Sequence, residues 1–384
     1  MQIGRGGALL DALSVRACEA WLMNRRTLLL CLGMPASAPW CARAQSMAPR
    51  ALQFPADFGA HPETQTEWWY VTGTLQSGAR TWGFQVTFFR SATGLAAGNP
   101  SRFAARQLVF AHAALTDLQA GRLQHDQRIA REGFDLATAA TGDTRVSLRD
   151  WQLTREAGTA GRSRYRARVA SSAATGAGFA LDLSLTATQP LLLQGDAGYS
   201  RKGPQARQAS FYYSEPQLAA SGTLTQQGQP IAVQGKAWLD HEWSDSLLDA
   251  SAVGWDWIGM NLDDGRALTA FRLRRADGSA LYAGGSIRAA GGAAQSFGPD
   301  DVEFTPGRIW ESAASRGRYP VEWRIATPAG RFTVKALLDD QELDSRSSTG
   351  AIYWEGVSDL LDERGQRVGR GYLELTGYAA ALRM

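Results

Sequence analysis

Aromatic residues and acids sit side by side in several short runs of this sequence. They are His61-Pro62-Glu63 with Glu67-Trp68-Trp69-Tyr70, then Trp238-Leu239-Asp240-His241-Glu242-Trp243, Trp255-Asp256-Trp257, Tyr353-Trp354-Glu355-Gly356 and Tyr372-Leu373-Glu374-Leu375-Thr376-Gly377-Tyr378. Phe88-Phe89-Arg90, Ala111-His112 and Tyr212-Tyr213-Ser214 belong with them. On a strand, neighbours point to opposite faces. Trp238, Asp240 and Glu242 would then share one side and His241 and Trp243 the other. Trp255 and Trp257 oppose Asp256, and Glu67 with Trp69 opposes Trp68 with Tyr70. One face of each strand is expected to be core, the other a barrel lumen or solvent.

Three kinds of chemistry fit these runs. Buried Trp and Tyr need partners for their N–H and O–H groups, and neighbouring carboxylates supply them. His61, Glu63, Glu67, Asp240, His241 and Glu242 include metal-ligand types, but no His-x-x-x-His or His-Glu-x-x-His spacing orders them, so no metal is assigned. In the third reading an apolar pocket holds a few buried acids and a histidine. Desolvation then keeps a carboxylic acid protonated near neutrality, and indole faces stabilise a developing cation. That combination suits acid-catalysed addition of water to an unactivated carbon–carbon double bond, with no cofactor. Without a competent acid, the same pocket binds a greasy ligand.

Other classes lack support. None of the three lysines, Lys202, Lys236 and Lys335, sits in a Walker A loop, and neither a Gly-x-Ser-x-Gly elbow nor a Gly-x-Gly-x-x-Gly loop occurs. Five of the 40 basic and two of the 37 acidic residues precede residue 45, so the rest of the chain carries 35 of each. A neutral body with three lysines offers no electrostatic footprint for nucleic acid. Cys18, Cys31 and Cys41 also precede residue 45, which leaves no thiol for a disulfide framework, a nucleophile or a zinc site beyond it.

The elements that must position the runs are strands. Phe179, Leu181, Leu183 and Leu185 alternate with Ala180, Asp182, Ser184 and Thr186, and Val321, Trp323 and Ile325 alternate likewise. No long amphipathic helical stretch is present, so the class is all-β, in barrels or sandwiches. Trp68, Tyr70, Leu75, Gly78, Phe84 and Val86 recur 187 residues later as Trp255, Trp257, Leu262, Gly265, Phe271 and Leu273. This reads as a hairpin opening each of two similar domains, residues 51–228 and 229–384.

Ahead of them, Arg25-Arg26 precedes the apolar stretch Thr27–Met34 and Ala42-Arg43-Ala44. Residues 23–44 read as a signal peptide, of the twin-arginine type or a plain Sec signal that also carries two arginines, with residues 1–22 an upstream extension and Met23 the start. The stretch is about half the ~20 residues a membrane-spanning helix needs. The expected product is periplasmic or secreted, and not an integral membrane protein.

The runs around Glu67–Tyr70, Asp240–Trp243, Tyr353–Gly356 and Gly371–Tyr378 resemble the carotenoid 1,2-hydratase and AttH-like family of secreted lipocalin-like proteins, often labelled secreted hydrolases. The resemblance runs from about residue 55 to the C-terminus. It implies two tandem lipocalin-like β-barrel domains. Hydratases of that family use a His-x-Trp pair and a downstream Tyr-x-Asp. His241 and Trp243 match the pair, Asp256 is the nearest downstream acid, and Gly254 stands where the tyrosine would be. The roles implied are Asp256 protonating the alkene, Trp243 and Trp255 stabilising the cation, and His241 handling water. Trp68, Trp69, Tyr70, Tyr213, Trp238, Trp255 and Trp257 would line a pocket for an isoprenoid, carotenoid or lipid. The AttH-like branch implies instead a non-catalytic carrier associated with an export transporter. A hydrolase would need Ser214 as nucleophile or a water activated by His241.

Overall fold

The computed structural model describes residues 47–95, 98–171, 178–246 and 248–382. The expected leader at 23–44 and the upstream extension lie outside them. Among the described residues there is no α-helix, only strands and two short 3-10 turns, and no helix long and apolar enough to cross a membrane.

The first sheet begins with a meander: β1 (Thr66–Ser77), β2 (Arg80–Ala92), β3 (Gln107–Asp117) and β4 (Arg122–Arg131). β5 (Ala137–Ala139), β6 (Arg145–Leu148), β7 (Trp151–Ala157), β8 (Ser163–Ala170) and β9 (Phe179–Thr186) follow. β10 (Leu192–Leu193), β11 (Tyr199–Arg201), β12 (Ala209–Gln226) and β13 (Gln229–Ser244) complete it. The order is β4-β3-β2-β1-β13-β12-β9-β8-β7-β6-β5, with β10 and β11 on β12. β4 comes back against β6, so the sheet nearly closes into a barrel.

The second sheet repeats the plan. It contains β14 (Ala252–Leu262), β15 (Ala267–Arg275), β16 (Ala280–Arg288), β17 (Ala294–Phe297) and β18 (Glu303–Pro306). After the small hairpin of β19 (Ile309–Glu311) and β20 (Arg318–Pro320) come β21 (Glu322–Thr327), β22 (Gly330–Ala336), β23 (Glu342–Ser345), β24 (Ala351–Leu361) and β25 (Arg367–Thr376). Its order is β17-β16-β15-β14-β25-β24-β22-β21-β18, with β23 on β24. In each half the opening strand pairs with the closing one, β1 with β13 and β14 with β25. The halves change over between Ser244 and Ala252. β13, assigned by sequence to the second domain, therefore completes the first sheet, because its register partners are β1 and β12.

The duplicated hairpin is present, with a qualification. Gly78 and Gly265 both take left-handed backbone, φ +58 and +87, as their turns require. On the leading strands Trp68 and Trp255, and Tyr70 and Trp257, occupy matching faces. The return strands do not match. Tyr70 faces Thr87 while Trp257 faces Phe271, a register difference of three residues, and an odd slip turns every side chain over. Phe84 and Val86 thus fill the first barrel, whereas Phe271 and Leu273 point out of the second sheet.

Alternation also decides the cores. Trp69, Val71 and Leu75 of β1, Phe84, Val86 and Phe88 of β2, and Leu239 and Trp243 of β13 fill the first barrel. Ile258, Met260, Trp323, Leu373 and Leu375 fill the interior of the second sheet. Each fully buried apolar side chain of this size contributes about 1.5–3 kcal/mol. A third cluster of Tyr70, Trp238, Trp257, Phe271, Val357 and Tyr372 forms where the outer faces of the two sheets meet. From Ser46 on the chain is one compact unit. A bulge in β12 turns Gln217 into left-handed backbone, φ +56, so that its N–H donates to Asn261 Oδ1 at 2.7 Å across the join.

Candidate functional site

Between the two sheets lies a chamber of about 540 Å³. Both halves supply its walls, each through residues alternate to those in its core. Trp68 and Tyr70 come from β1, Gln85 and Phe89 from β2, Phe110 and His112 from β3, Tyr212 from β12, and Asp240 and Glu242 from β13. Opposite them stand Trp255 and Trp257 of β14, Phe271 and Leu273 of β15, Tyr353 and Glu355 of β24, and Glu374 of β25. Most of the wall is aromatic or aliphatic, and the polar groups converge on a few points.

Five acids line it: Asp240, Glu242, Asp245, Glu355 and Glu374. Glu355 and Glu374 are directly opposed on β24 and β25, which sets their Cβ atoms about 5 Å apart. Burial raises both, Glu355 well above the ordinary carboxylate range and Glu374 to about 8, and their neighbouring carboxylates add to it. Burial likewise lifts Asp240 to about 7, although Ser214 Oγ (2.5 Å), Trp238 Nε1 (2.7 Å) and Tyr212 Oη (2.8 Å) all donate to it. Glu242 differs, for its Oε1 meets Lys202 Nζ at 2.9 Å. The ammonium in turn lies 4.6 Å from the Tyr212 ring centre and 4.4 Å from that of Phe271. Near neutrality Glu355 and Glu374 therefore favour their protonated form, and Asp240 titrates about there, beside indole faces.

His112 is neutral there, pulled down to about 3 by burial and then by His125. Its ring nitrogens bond Tyr353 Oη at 2.8 Å and Ser348 Oγ at 2.9 Å. Gln85 Nε2 donates to Glu355 Oε2 at 2.7 Å, Thr87 Oγ1 at 3.0 Å and Tyr353 Oη at 3.2 Å. A polar chain thus runs from Glu355 through Gln85 and Tyr353 to His112.

The residues expected from sequence divide between this chamber and the cores. Trp68, Tyr70, Trp255 and Trp257 line it, and Trp238 backs it by holding Asp240. Trp69 and Tyr213 are in the first barrel's core. His241 and Trp243 are there too, on the face opposite Asp240 and Glu242. His241 bonds Glu67 Oε1 (2.9 Å) and Tyr213 Oη (3.0 Å) and stacks on Trp69, and burial lowers it to about 4. Trp243 stacks on His61 with ring centres 3.8 Å apart. Asp256 faces the second sheet's interior, held by Arg272 Nε (2.7 Å), Arg274 Nη1 (2.9 Å) and Tyr378 Oη (2.8 Å). The expected catalytic set of His241, Trp243 and Asp256 is therefore split between two cores, and none of the three lines the chamber. Alternation separated the faces correctly, but the face that lines the chamber is the one carrying the even-numbered acids of β13 and β25 and the odd-numbered Glu355 of β24. The overlooked signal was the aromatic-x-acid spacing in Trp238-x-Asp240, Tyr353-x-Glu355 and Tyr372-x-Glu374, which puts each acid on an aromatic face.

His61, Glu67 and His241 bring ligand atoms within 4.8 Å of one another. Their separations of 2.7 and 2.9 Å are those of hydrogen bonds, below the ~3.3 Å between ligands of a tetrahedral zinc. The other Glu67 oxygen already takes Arg90 Nε at 2.7 Å and the His61 N–H at 2.9 Å. Burial opposes charge on Glu67, but bonds from both histidines win and hold it below the usual range. This network ties the segment before β1 onto the barrel.

The comparisons with known proteins agree with this architecture. No curated protein matches the chain. Among solved structures, a Nitrosomonas europaea protein described as an AttH is 51% identical, with a TM-score of 0.79 over 88% of this chain and 100% of its own. Kievitone hydratase from Nectria haematococca superposes with a TM-score of 0.64 at 18% identity, over 86% of this chain and 94% of its own. CghA with Sch210972 superposes at 0.51 and 13% identity, over 83% of this chain and 90% of its own. At those low identities the likeness is one of fold. The AttH-like family model matches residues 45–378, and this chain, with its lipocalin-like all-β fold, belongs to the AttH-like family.

Proposed function

We propose that the protein is a cofactor-independent hydro-lyase that adds water to an isolated carbon–carbon double bond of an apolar molecule, of isoprenoid or similar lipid-like chemistry, bound in the inter-sheet chamber. The observation that carries this reading is the placement of Glu374, Glu355 and Asp240, whose pKa values burial raises, in one chamber wall with Trp68, Trp255 and Trp257. A carrier of greasy cargo has no use for desolvated carboxyls, whereas proton transfer to an alkene needs an acid that keeps its proton near neutrality. That kievitone hydratase shares the fold fits the same reading.

Glu374 donates its proton to the less substituted alkene carbon, leaving a cation on the other. Indole faces stabilise it by cation–π attraction. Water forms the new C–O bond and gives up one proton, which restores the acid. No metal or redox partner is needed to balance the step. Export fits the cysteine-free body: residues 23–44 would send the protein to the periplasm or beyond, which fractionation of cells carrying Arg25→Lys and Arg26→Lys together would test by retention of the precursor.

The functional test is mass spectrometry of apolar material extracted from protein purified from its own host, re-incubated with fresh protein in ¹⁸O-water. A product heavier by one labelled water is expected, formed about 10²–10⁴ times more slowly by Glu374→Gln. Recovery of every extracted molecule unchanged would leave the carrier reading in its place.

A further inference from the structure

Three buried polar atoms on the chamber wall have no hydrogen-bond partner: Tyr70 Oη, Gln85 Oε1 and Glu355 Oε1. Their residues are 6%, 2% and 3% exposed. The other buried side-chain atoms without partners among the described residues, Trp82 Nε1, Arg201 Nε, Arg288 Nε, Tyr319 Oη, Trp323 Nε1 and Ser345 Oγ, belong to residues that do not line the chamber. An unmet buried polar group costs about 1–3 kcal/mol, so three at one place call for a ligand atom.

They share one corner. Gln85 opposes Thr72 on the β1–β2 ladder and Tyr70 opposes Thr87, which makes Tyr70 and Gln85 diagonal neighbours on the chamber face. Gln85 Nε2 is bonded to Glu355 Oε2 across the join. As placed, the amide turns Nε2 toward Thr87 Oγ1, Tyr353 Oη and Glu355 Oε2. Oε1 is left as a free acceptor. Tyr70 Oη lies close to Glu355 and Thr72 without making a well-formed hydrogen bond to either.

We infer that Tyr70, Gln85 and Glu355 seat the oxygen nucleophile, a water molecule that adds to the substrate. Two acceptors and one donor satisfy both hydrogens and one lone pair of a water, and the second lone pair remains for carbon. This rests on the hydro-lyase reading and gives Gln85 and Tyr70 positioning roles within it. Once Glu374 has protonated the alkene, the seated oxygen bonds to the cationic carbon. The oxonium passes a proton to Glu355 Oε1, and Glu355 hands its own proton across the β24–β25 pair to the Glu374 carboxylate. The sum is alkene plus water giving alcohol, with both carboxyls as they began.

The test separates proton delivery from water delivery. The chain from Ser46 onward is a compact unit, and its counterpart spans the whole of the solved Nitrosomonas protein, so it is the form to use. Wild type, Gln85→Leu and Tyr70→Phe are incubated with geranylacetone in D₂O, and deuterium in the recovered alkene and yield of alcohol are both followed. Expected is alcohol reduced at least tenfold in Gln85→Leu, with deuterium uptake within about threefold of wild type, because the cation still forms and returns a proton. Unchanged alcohol, or alcohol and exchange falling together, would overturn the seat. If wild type neither hydrates nor exchanges the probe, the hydro-lyase reading loses its support, and diffraction decides the seat by itself. An ordered oxygen within about 3.2 Å of all three atoms upholds it, and side chains closed on one another refute it.

Discussion

Asp240→Asn should stabilise the protein at alkaline pH and leave it no better off in acid. In the folded chain Asp240 keeps its proton up to about pH 7, against an ordinary value of 3.8. Between those values the native state binds a proton that the unfolded chain has released, so stability falls as pH rises. The shift corresponds to about 4 kcal/mol of stability at 1.36 kcal/mol per unit, intact below pH 4 and fully lost above pH 7. Asparagine has nearly the same shape and cannot ionise. Its one drawback is that the amide cannot accept every bond now donated by Ser214, Trp238 and Tyr212, a pH-independent penalty of about 1 kcal/mol. Urea unfolding of both proteins at pH 4, 5.5, 7 and 8.5 separates the two effects. The variant should be slightly less stable at pH 4, cross the wild type near pH 5, and exceed it by about 3 kcal/mol at pH 8.5. A difference that stays constant over the whole range would refute the desolvated-acid account, and with it the basis for a proton donor in the chamber.

Asp256→Asn leaves Arg272 and Arg274 facing a neutral group in the second core. It should cost about 3–5 kcal/mol of stability, while turnover per folded molecule, from active-site titration, stays within about twofold of wild type. His61 is penalised by burial, yet its bonds to Asp57 and Glu67 raise its pKa above 6.5. It therefore stabilises the fold fully below pH 6.5 and less as pH rises through its folded value, and His61→Phe should abolish that part of the pH dependence in thermal melts. Gly78→Ala meets no atom within 4 Å, so its cost of about 1 kcal/mol is backbone strain at φ +58 alone and should appear as an equal loss in urea stability.

The fold class and the two-part plan were legible because they rest on local rules. Alternation of period two, turn glycines and a duplicated leading strand need no long-range information. The position of the join was not legible, since β13 carries nothing in its own sequence to say that its partners are β1 and β12. The site was half legible. Sorting Asp240 from His241, and Trp257 from Asp256, follows from the pleat of the strand. Deciding which side is wet does not, because both faces of these strands are aromatic and both carry acids. The family's His-x-Trp pattern then drew attention to His241 and Trp243, whose work here is to hold Glu67 and His61 in a core. Gln85 gave no signal at all, as one glutamine in a strand is unremarkable until β24 is laid across from it.

The chamber's unpaired acids lie outside the first barrel and outside the second sheet's interior for a reason of charge. Inside the first barrel, Glu67 is met by Arg90, His61 and His241. Inside the second, Asp256 is met by Arg272 and Arg274. Glu67, so paired, is held below the usual carboxylate range and keeps no proton to give near neutrality. Protonation near neutrality requires burial without a cation, and among the described residues Asp240, Glu355 and Glu374 have no ion-pair partner, whereas Glu242 has one in Lys202. Neither sheet alone would bury the other three, because each presents them on the surface that the partner sheet covers. The chamber and its acidity are therefore products of the same contact. That contact exists because the two halves meet through their outer faces, lined by Tyr70, Trp238, Trp257 and Tyr372, instead of packing as independent barrels. A tandem arrangement thus does what a single barrel with a filled core cannot: it desolvates carboxyls drawn from two sheets around one apolar space.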